Sequence, residues 1–446
     1  MIHTKLMPHQ AATLEVFGYK PKVALFWKMG TGKSLTALMW AALHTCEGRL
    51  LITSDKNNVL NNWPDQIARH TDWYDSATVL VRPTAKQLQS MEAPCVVITN
   101  YDSLRTMWKE YKAAGFYVWI GDESSEFKDM RTDKAQALER VVTGIPFKII
   151  LNGDPMTERL EDLFGQFKIL DGGASLGTSL TKFRSRYMQP DPSGYGWCAR
   201  RNSYTDIQRA IKDCSHWLTD ADKIVMPTVE RWHVEVDMQE QQQAVDNQLK
   251  GEFAATLNGS NIEVKHAVAL FVKRIQLAGG IFHPTDGTPP SAMPTNKLNV
   301  LLRVAKDNPH STIVVWHTYV AETELMRSWP WAGRKVYQYV DPEDASGLEA
   351  FAKSENGVLL IRNSLCKGIN QLTNVDISVF YSNPLSYRNR IQAEGRACRM
   401  TTENPVTHII DITTKGGADA IVYNMLSQKR DTSLTLTGLR KYVMVA

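Results

Sequence analysis

Several classes of protein are excluded by what this chain of 446 residues has little of. Its six cysteines, at positions 46, 95, 198, 214, 366 and 398, form no CxxC pair and no metal spacing. That pattern excludes a disulfide framework or zinc module and fits a reduced compartment. No stretch approaches the roughly 20 apolar residues that span a bilayer, and the first residues lack a charged-then-apolar leader, so no membrane association is expected. Internal repeats and low-complexity tracts are missing, which excludes solenoids and linker-like chains. Net charge is small as well: 51 basic residues face 47 acidic ones, for a formal charge of +4. Affinity for a polyanion must then come from local placement of Lys and Arg, because the whole-molecule field is weak.

What is there is a length sufficient for two or three domains and two series of short apolar runs. Lys22–Trp27, Arg49–Thr53, Cys95–Thr99, Tyr117–Ile120 and Lys148–Leu151 each read as a strand buried on both faces and ending in polar residues. Ser311–Trp316, Gly357–Ile361, Val375–Phe380 and His408–Asp411 form a second series. Helical windows separate the runs in both series, an alternation that predicts two α/β parallel sheets. Residues from about 160 to 295 read mainly as helix, for example Ile262–Leu277, with Pro190-Asp191-Pro192-Ser193-Gly194 and Pro289-Pro290 as punctuation. The expected division is a first lobe over 1–165, a helical region over 166–295 and a second lobe over 296–446.

The most informative segment is Gly30-Thr31-Gly32-Lys33-Ser34, between the first apolar run and the helix-like Leu35–Trp40. Strand, glycine loop and helix in that order grip phosphates: glycines let backbone N–H groups turn inward, and the helix N-terminus adds its positive dipole end. Lys33 is placed to reach the β- and γ-phosphates and Ser34 to hold Mg²⁺. The match is to the shorter GxGK[ST] form, since Phe26 and Trp27 stand where the full pattern has its first glycine. About 90 residues beyond Lys33, the run Tyr117–Ile120 ends in Gly121-Asp122-Glu123-Ser124-Ser125. An Asp at the carboxyl end of such a strand can hold Mg²⁺, and the Glu beside it can orient or deprotonate an attacking water. The chain is therefore read first as a nucleoside triphosphate protein.

Taken in order, these and further motifs resemble the superfamily-two helicases, and within them the Swi/Snf-like translocases. Leu6-Met7-Pro8-His9-Gln10 is similar to the adenine-recognising segment, which makes Gln10 the base-reading side chain. Leu51–Lys56 with Asn62-Trp63, and Val97-Ile98-Thr99-Asn100-Tyr101, resemble the DNA-contact motifs. Glu126-Phe127-Lys128-Asp129 resembles the Swi/Snf extension of the metal motif, and Leu151-Asn152-Gly153-Asp154-Pro155 with Glu161-Asp162-Leu163 the coupling motif. Ile275–Pro284 is similar to the helical segment before the second lobe. Lys367-Gly368-Ile369-Asn370 and Gln392-Ala393-Glu394-Gly395-Arg396-Ala397-Cys398-Arg399 look like the last two motifs. The chain departs from the family at Ser124 and Ser125 for Ala and His, at Asp154 for Thr, and at Ser364-Leu365-Cys366 for glycines.

The resemblance implies two RecA-like parallel-sheet lobes with helical insertions between them, ATP and Mg²⁺ as cofactors, and ATP bound in the cleft between the lobes. It assigns nucleotide contacts to Gln10, Gly30, Thr31, Gly32, Lys33 and Ser34, metal contacts to Ser34 and Asp122, and chemistry to Lys33, Asp122, Glu123, Gln392, Arg396 and Arg399. Gln392, Arg396 and Arg399 stand at i, i+4 and i+7, so one helix face presents an amide and two guanidiniums. That face fits an arginine finger neutralising charge on the γ-phosphoryl group. DNA contact is expected from Lys56, Thr99, Asn100, Tyr101, Lys367 and Asn370, with His317 as a further candidate. An independent clue lies between Lys182 and Lys212, where seven basic residues face two acids and Phe183, Tyr187, Tyr195, Trp197 and Tyr204 are interleaved. Cations for phosphates and aromatics for stacking suit a nucleic-acid surface, with Trp197, Arg200 and Arg201 at a hairpin that could part strands. A partly buried hairpin with snorkelling Arg stems is the alternative.

The function expected is an ATP-dependent DNA helicase or translocase acting on duplex, forked or four-way DNA. It is most like the branch-migration and fork-remodelling helicases of tailed bacteriophages. It would be a monomeric motor with replication or recombination proteins as partners, in the cytoplasm, or in the host cytoplasm if phage-encoded. A DNA-stimulated ATPase switch without strand separation, and an RNA helicase, are the alternatives.

Overall fold

The computed structural model describes residues 4–45, 48–156, 159–191, 196–218, 227–257, 259–366, 368–369, 371–398 and 405–443, with side chains to residue 430. The chain forms two compact units, Met1–Ile224 and Val225–Ala446. Residues 166–295, set apart as one helical region in the sequence, are thus shared between both units.

The first unit is built on a seven-stranded sheet of β1 (Lys22–Phe26), β2 (Arg49–Ser54), β3 (Thr78–Val81), β4 (Cys95–Asn100), β5 (Val118–Gly121), β6 (Phe147–Asn152) and β7 (Ser215–Trp217). Their spatial order is β3-β4-β2-β5-β6-β1-β7, and every neighbouring pair is parallel. Side chains alternate across such a sheet, so consecutive residues enter opposite cores. Ala24, Leu51, Val97, Trp119 and Ile150 enter one core. Their neighbours Val23, Leu25, Leu50, Ile52, Val96, Ile98, Val118, Ile120, Ile149 and Leu151 enter the other. Burial on both faces is why the sequence shows unbroken apolar runs rather than an alternating pattern.

The second unit repeats the plan with six strands, β8 (Thr228–Val236), β9 (Ile313–His317), β10 (Val336–Tyr339), β11 (Val358–Arg362), β12 (Ile377–Phe380) and β13 (Val406–Thr414). Their order is β8-β13-β12-β9-β11-β10, again parallel throughout. Val314, Trp316, Leu359 and Ile361 pack on one face, and Ile313, Val315, Val358 and Leu360 on the other. Two α/β parallel-sheet lobes are therefore present, as the alternation of runs predicts.

The middle of the chain holds more β structure than its sequence suggests. Ile262 and Glu263 belong to a hairpin, Ala254–Leu257 with Ser260–Glu263, and the helix begins only at Ala267. Further hairpins join Met188–Pro190 to Trp197–Ala199 and Ile281–Phe282 to Ser291–Ala292. Strands this short lack enough alternation to be told from helix edges.

Candidate functional site

In the first unit β1, β5, β2 and β4 deliver the motif residues to one edge, the carboxyl edge where open α/β sheets bind ligands. β1 runs into the glycine loop, where Gly30 and Gly32 have φ of 76° and 82°. Gly32 is the N-cap of helix Lys33–His44, and no side chain caps it. An N-terminus of this kind offers its first N–H groups and dipole to an anion. A β-carbon at Gly32 would stand 2.3 Å from the Gln10 amide nitrogen, so both backbone conformation and space require glycine.

Residues 8–17, the first helix, brace this loop. Gln10 Nε2 donates to the Gly32 carbonyl at 3.0 Å, and its Oε1 accepts from Met7 N at 2.8 Å. His9 Nε2 lies 3.0 Å from the Thr31 carbonyl, and the Thr31 hydroxyl donates to Lys28 O at 2.7 Å. Lys33 Nζ donates to the carbonyls of Trp27 and Lys28 at 2.8 and 3.0 Å, curling over the loop it belongs to. Both ends of the Gln10 amide thus hold backbone. The loop-bracing role of His9 was not legible in the sequence.

β5 ends at Asp122, which is 8 % exposed. Its Oδ2 accepts from Ser54 Oγ at 2.9 Å and Trp63 Nε1 at 3.0 Å, and its Oδ1 from Glu123 N at 2.9 Å. Burial, then the charge of Glu123, push the carboxyl up to about 7 against the opposing effect of the Ser54 bond, and Lys33 draws it back down. A carboxylate that is costly to ionise here suits a divalent cation, whose charge would offset the lost hydration. Ser34 and Asp122 supply the hard oxygen donors that Mg²⁺ prefers. Glu123 follows at φ 54°, a left-handed conformation unusual for a side-chain-bearing residue and of the kind held at functional turns.

The departures at Ser124 and Ser125 have a visible consequence. Ser124 Oγ donates to Gln166 Oε1 at 2.5 Å and accepts from Asn152 Nδ2 at 3.1 Å. Gln166 Nε2 in turn donates to the carbonyls of Pro155 and Asp162, each at 2.7 Å. Ser124 therefore ties the carboxylate turn to the coupling segment inside the first unit. The helix Asp162–Asp171 that carries Gln166 is seated by buried Lys148 on β6, whose Nζ donates to Ile169 O at 2.9 Å. Burial pushes that lysine down to about 8. Gly165 allows the close fit, since a β-carbon there would lie 2.1 Å from the Lys128 carbonyl oxygen. Ser125 Oγ is buried with no partner among the described residues.

Of the expected DNA contacts in this unit, Lys56 is exposed but three others are not. Thr99 is fully buried and accepts from the Tyr111 hydroxyl at 2.7 Å. Asn100 caps helix Tyr101–Thr106 by accepting from Ser103 N at 2.7 Å. Tyr101 is buried with its hydroxyl donating to the carbonyls of Asp122 and Thr53 at 2.5 and 3.2 Å. Direct contact by these three side chains is corrected to support from beneath: they fix the edge that Asp122 occupies. Trp197 is 40 % exposed, and Arg200 and Arg201 are exposed, with Arg200 Nε donating to Met188 O at 2.8 Å across the hairpin base.

In the second unit helix Tyr387–Ala397 starts at the Ser386 cap and carries Gln392 and Arg396 one turn apart. Arg396 is 6 % exposed; NH1 donates to Ile369 O at 3.0 Å while Nε has no partner among the described residues. Gln392 Oε1 lies 3.9 Å from Cys366 Sγ. Arg399, Lys367 and Asn370 lie outside the described residues. Beneath the helix is a charge network absent from the sequence reading. Arg390 engages both oxygens of Asp411 and the Asn383 amide oxygen, donates from Nε to Glu394 at 2.7 Å, and stacks 3.5 Å from the Phe380 ring centroid. Arg231 on β8 closes it with two bonds to Glu394 at 2.9 and 2.7 Å. His317 is fully buried, its ring nitrogens 3.1 Å from Tyr319 O and 3.2 Å from Thr323 Oγ1, so its expected DNA role is corrected to a core role. Burial pushes its imidazole down to about 4.

Residues 21–277, which contain the glycine loop, the carboxylate pair and the coupling segment, match the SNF2-related domain. The chain belongs to the SNF2-related family. This SNF2-related core is 24 % identical over 437 residues to the SWI/SNF-related matrix-associated actin-dependent regulator of chromatin subfamily A-like protein 1 of Drosophila melanogaster, covering 96 % of the chain and 55 % of that protein. It thus spans about half the length of that relative. Protein p41 of Acyrthosiphon pisum secondary endosymbiont phage 1 is 24 % identical over 332 residues, 68 % of this chain and 70 % of its own. Among solved structures, the Sulfolobus solfataricus SWI2/SNF2 ATPase core in complex with dsDNA aligns at a TM-score of 0.45 and 16 % identity, over 97 % of this chain and 92 % of that one.

Proposed function

We propose that this SNF2-related core is an ATP-driven DNA translocase that remodels forked or branched DNA in replication, recombination or repair. One observation carries the reading: the buried Asp122 carboxylate feels Lys33 of the phosphate loop on one side and accepts from Ser54 and Trp63 on the other. Exposed Lys56 follows Ser54 by two residues, so a change in charge or coordination at Asp122 acts directly on a segment that ends in a cation suited to DNA phosphate.

In this reading the helix N-terminus at Gly32 and Lys33 bind the triphosphate tail and orient it. Ser34 and Asp122 would hold Mg²⁺, which would supply positive charge against the phosphate oxygens. Glu123 positions the attacking water and accepts its proton. Arg396, whose Nε is left unpartnered among the described residues, and Arg399 serve the γ-phosphoryl group in the transition state. Loss of such a guanidinium typically costs about 10³-fold in rate. The basic and aromatic hairpin around Trp197 supplies a second DNA surface. The working form is a monomeric motor in the cytoplasm, of a host if the chain is phage-encoded.

The test is ATP hydrolysis with single-stranded, duplex, forked and four-way DNA, with RNA as competitor. Forked or four-way DNA is expected to activate best, and Lys33→Ala to abolish turnover while DNA affinity persists. Preferential activation by RNA would replace DNA as the partner. Strong DNA binding with stimulated hydrolysis but no strand or branch movement would leave a switch in place of a motor.

A further inference from the structure

The helix that receives the Ser124 link also holds the hairpin. Glu161 is the N-cap residue of helix Asp162–Asp171, immediately before Asp162, whose carbonyl accepts from Gln166. The Glu161 carboxylate takes a two-pronged bond from Arg184, Nε to Oε1 at 2.9 Å and NH2 to Oε2 at 3.1 Å. The same guanidinium lies 5.6 Å from the ring centroid of Trp197, within cation–π range. A planar fork gripping a carboxylate on one side and an indole on the other holds both in register as a lysine could not.

Apolar packing backs this bond. Phe183, beside Arg184 on helix Leu180–Tyr187, meets Phe164 of the Gln166 helix with centroids 5.6 Å apart, and Tyr187 packs against Phe183 at a tilt of 55° with centroids 5.0 Å apart. The hairpin strands leave directly from that helix, pairing Met188 with Ala199 and Pro190 with Trp197. An unbroken series of contacts thus runs from Ser124, next to Glu123, through Gln166 and Glu161 to Arg184 and Trp197, all within the first unit. At its far end an indole is 40 % exposed. Lys182, Arg186, Arg200 and Arg201 are exposed in the same segment. A half-exposed flat aromatic among cations fits an unpaired nucleotide, whose base stacks while its phosphates meet the cations.

We propose that Trp197 is a stacking platform for an unpaired base at a DNA junction, and that Arg184 and Glu161 are positioning residues linking it to the carboxylate turn. The proposal rests on the DNA-motor reading above. The physical content of the link is a coupling energy between its members, which pairwise substitution measures.

The experiment has two arms on the full chain. First, forked DNA with a fluorescent base analogue at the junction is titrated with parent, Trp197→Ala and Arg184→Gln proteins. The parent is expected to quench the analogue, Trp197→Ala to lose the quench, and Arg184→Gln to weaken it; no quench by the parent overturns the platform. Second, ATP consumed per base pair displaced is measured alongside the ATPase rate. Arg184→Gln and Glu161→Gln are each expected to leave DNA-stimulated hydrolysis within about twofold and to raise the ATP cost of displacement about tenfold, the scale of one lost stacking contact, and Trp197→Ala to raise that cost at least as much. The Glu161→Gln/Arg184→Gln double variant should do no worse than either single one, and Arg184→Lys should not rescue. Parallel loss of hydrolysis and displacement, or multiplying effects in the double variant, overturns the link. If the parent shows no DNA-stimulated hydrolysis, the motor reading fails by itself, while the quenching arm still decides the platform.

Discussion

Asp122 is where function and stability pull in opposite directions, and the replacement Asp122→Asn exposes the conflict. The folded carboxyl titrates near 7 and an unperturbed one near 3.8. A raised folded value means the folded state holds its proton over a pH range in which the unfolded state has released it. The wild-type protein therefore loses stability as pH rises from about 4 to about 7, and the loss is complete above that. Between pH 5.5 and pH 8 the linkage amounts to about 2 kcal/mol, at roughly 1.4 kcal/mol per pH unit up to the folded titration point. An amide in its place would not titrate, so this slope should vanish in the variant. Against the gain, Ser54 Oγ, Trp63 Nε1 and Glu123 N all donate to the carboxyl oxygens, both of which keep acceptor capacity whether or not the group is protonated, whereas an amide offers only one acceptor oxygen. One donor left without a partner costs about 1–3 kcal/mol at every pH. The expected outcome is a variant less stable than wild type at pH 5.5 that draws level with it or passes it by pH 8, while ATP hydrolysis is lost at both. Urea unfolding of both proteins at the two pH values, without nucleotide or divalent cation, measures the difference, and titrations elsewhere in the chain largely cancel. A gap between the proteins that stays constant across the range would refute the burial argument.

Three further outcomes follow from other parts of the molecule. Gly32→Ala should strain the loop by about 1–2 kcal/mol and displace the Gln10 amide, so nucleotide affinity should collapse in a fluorescent-ATP titration; retained affinity would mean the loop re-forms without left-handed backbone. Arg390→Met should cost about 3–5 kcal/mol by leaving Asp411 buried and uncompensated, and Asp411→Leu on top should recover part of it; a single-variant loss under about 1 kcal/mol in chemical denaturation would show the network to be hydrated. His317, held neutral with its imidazole pushed down to about 4, should withdraw up to about 3 kcal/mol as pH falls from about 6.5 to 4, the opposite sign to Asp122. His317→Gln should flatten that part of the acid-unfolding curve, and an unchanged curve would reject the assignment.

All the strands recognisable as apolar runs, β1, β2, β4, β5 and β6 in the first unit and β9, β11, β12 and β13 in the second, lie inside their sheets. The strands that went unrecognised are β3, β7, β8 and β10, the edges of the two sheets. An interior strand buried on both faces must be largely apolar, and that is written into the residues. An edge strand is defined by what it pairs with: Thr228–Val236, largely exposed, is a strand because β13 lies beside it.

The same division runs through the site. The glycine loop between β1 and helix Lys33–His44, and the Asp122–Glu123 turn at the end of β5, were legible as local elements because each follows an apolar interior strand directly in sequence. Distance in sequence hid the rest. Trp63 reaches Asp122 across 59 positions and Arg231 reaches Glu394 across 163. Thr99, Asn100 and Tyr101 have the polarity of a binding surface, but their hydroxyl and amide groups are satisfied from below by Tyr111, Ser103 and the Asp122 backbone. Polarity alone specifies that a side chain needs partners. Whether the partner is a neighbouring strand or a ligand is decided only when the chain has folded and one of them is already within hydrogen-bond reach.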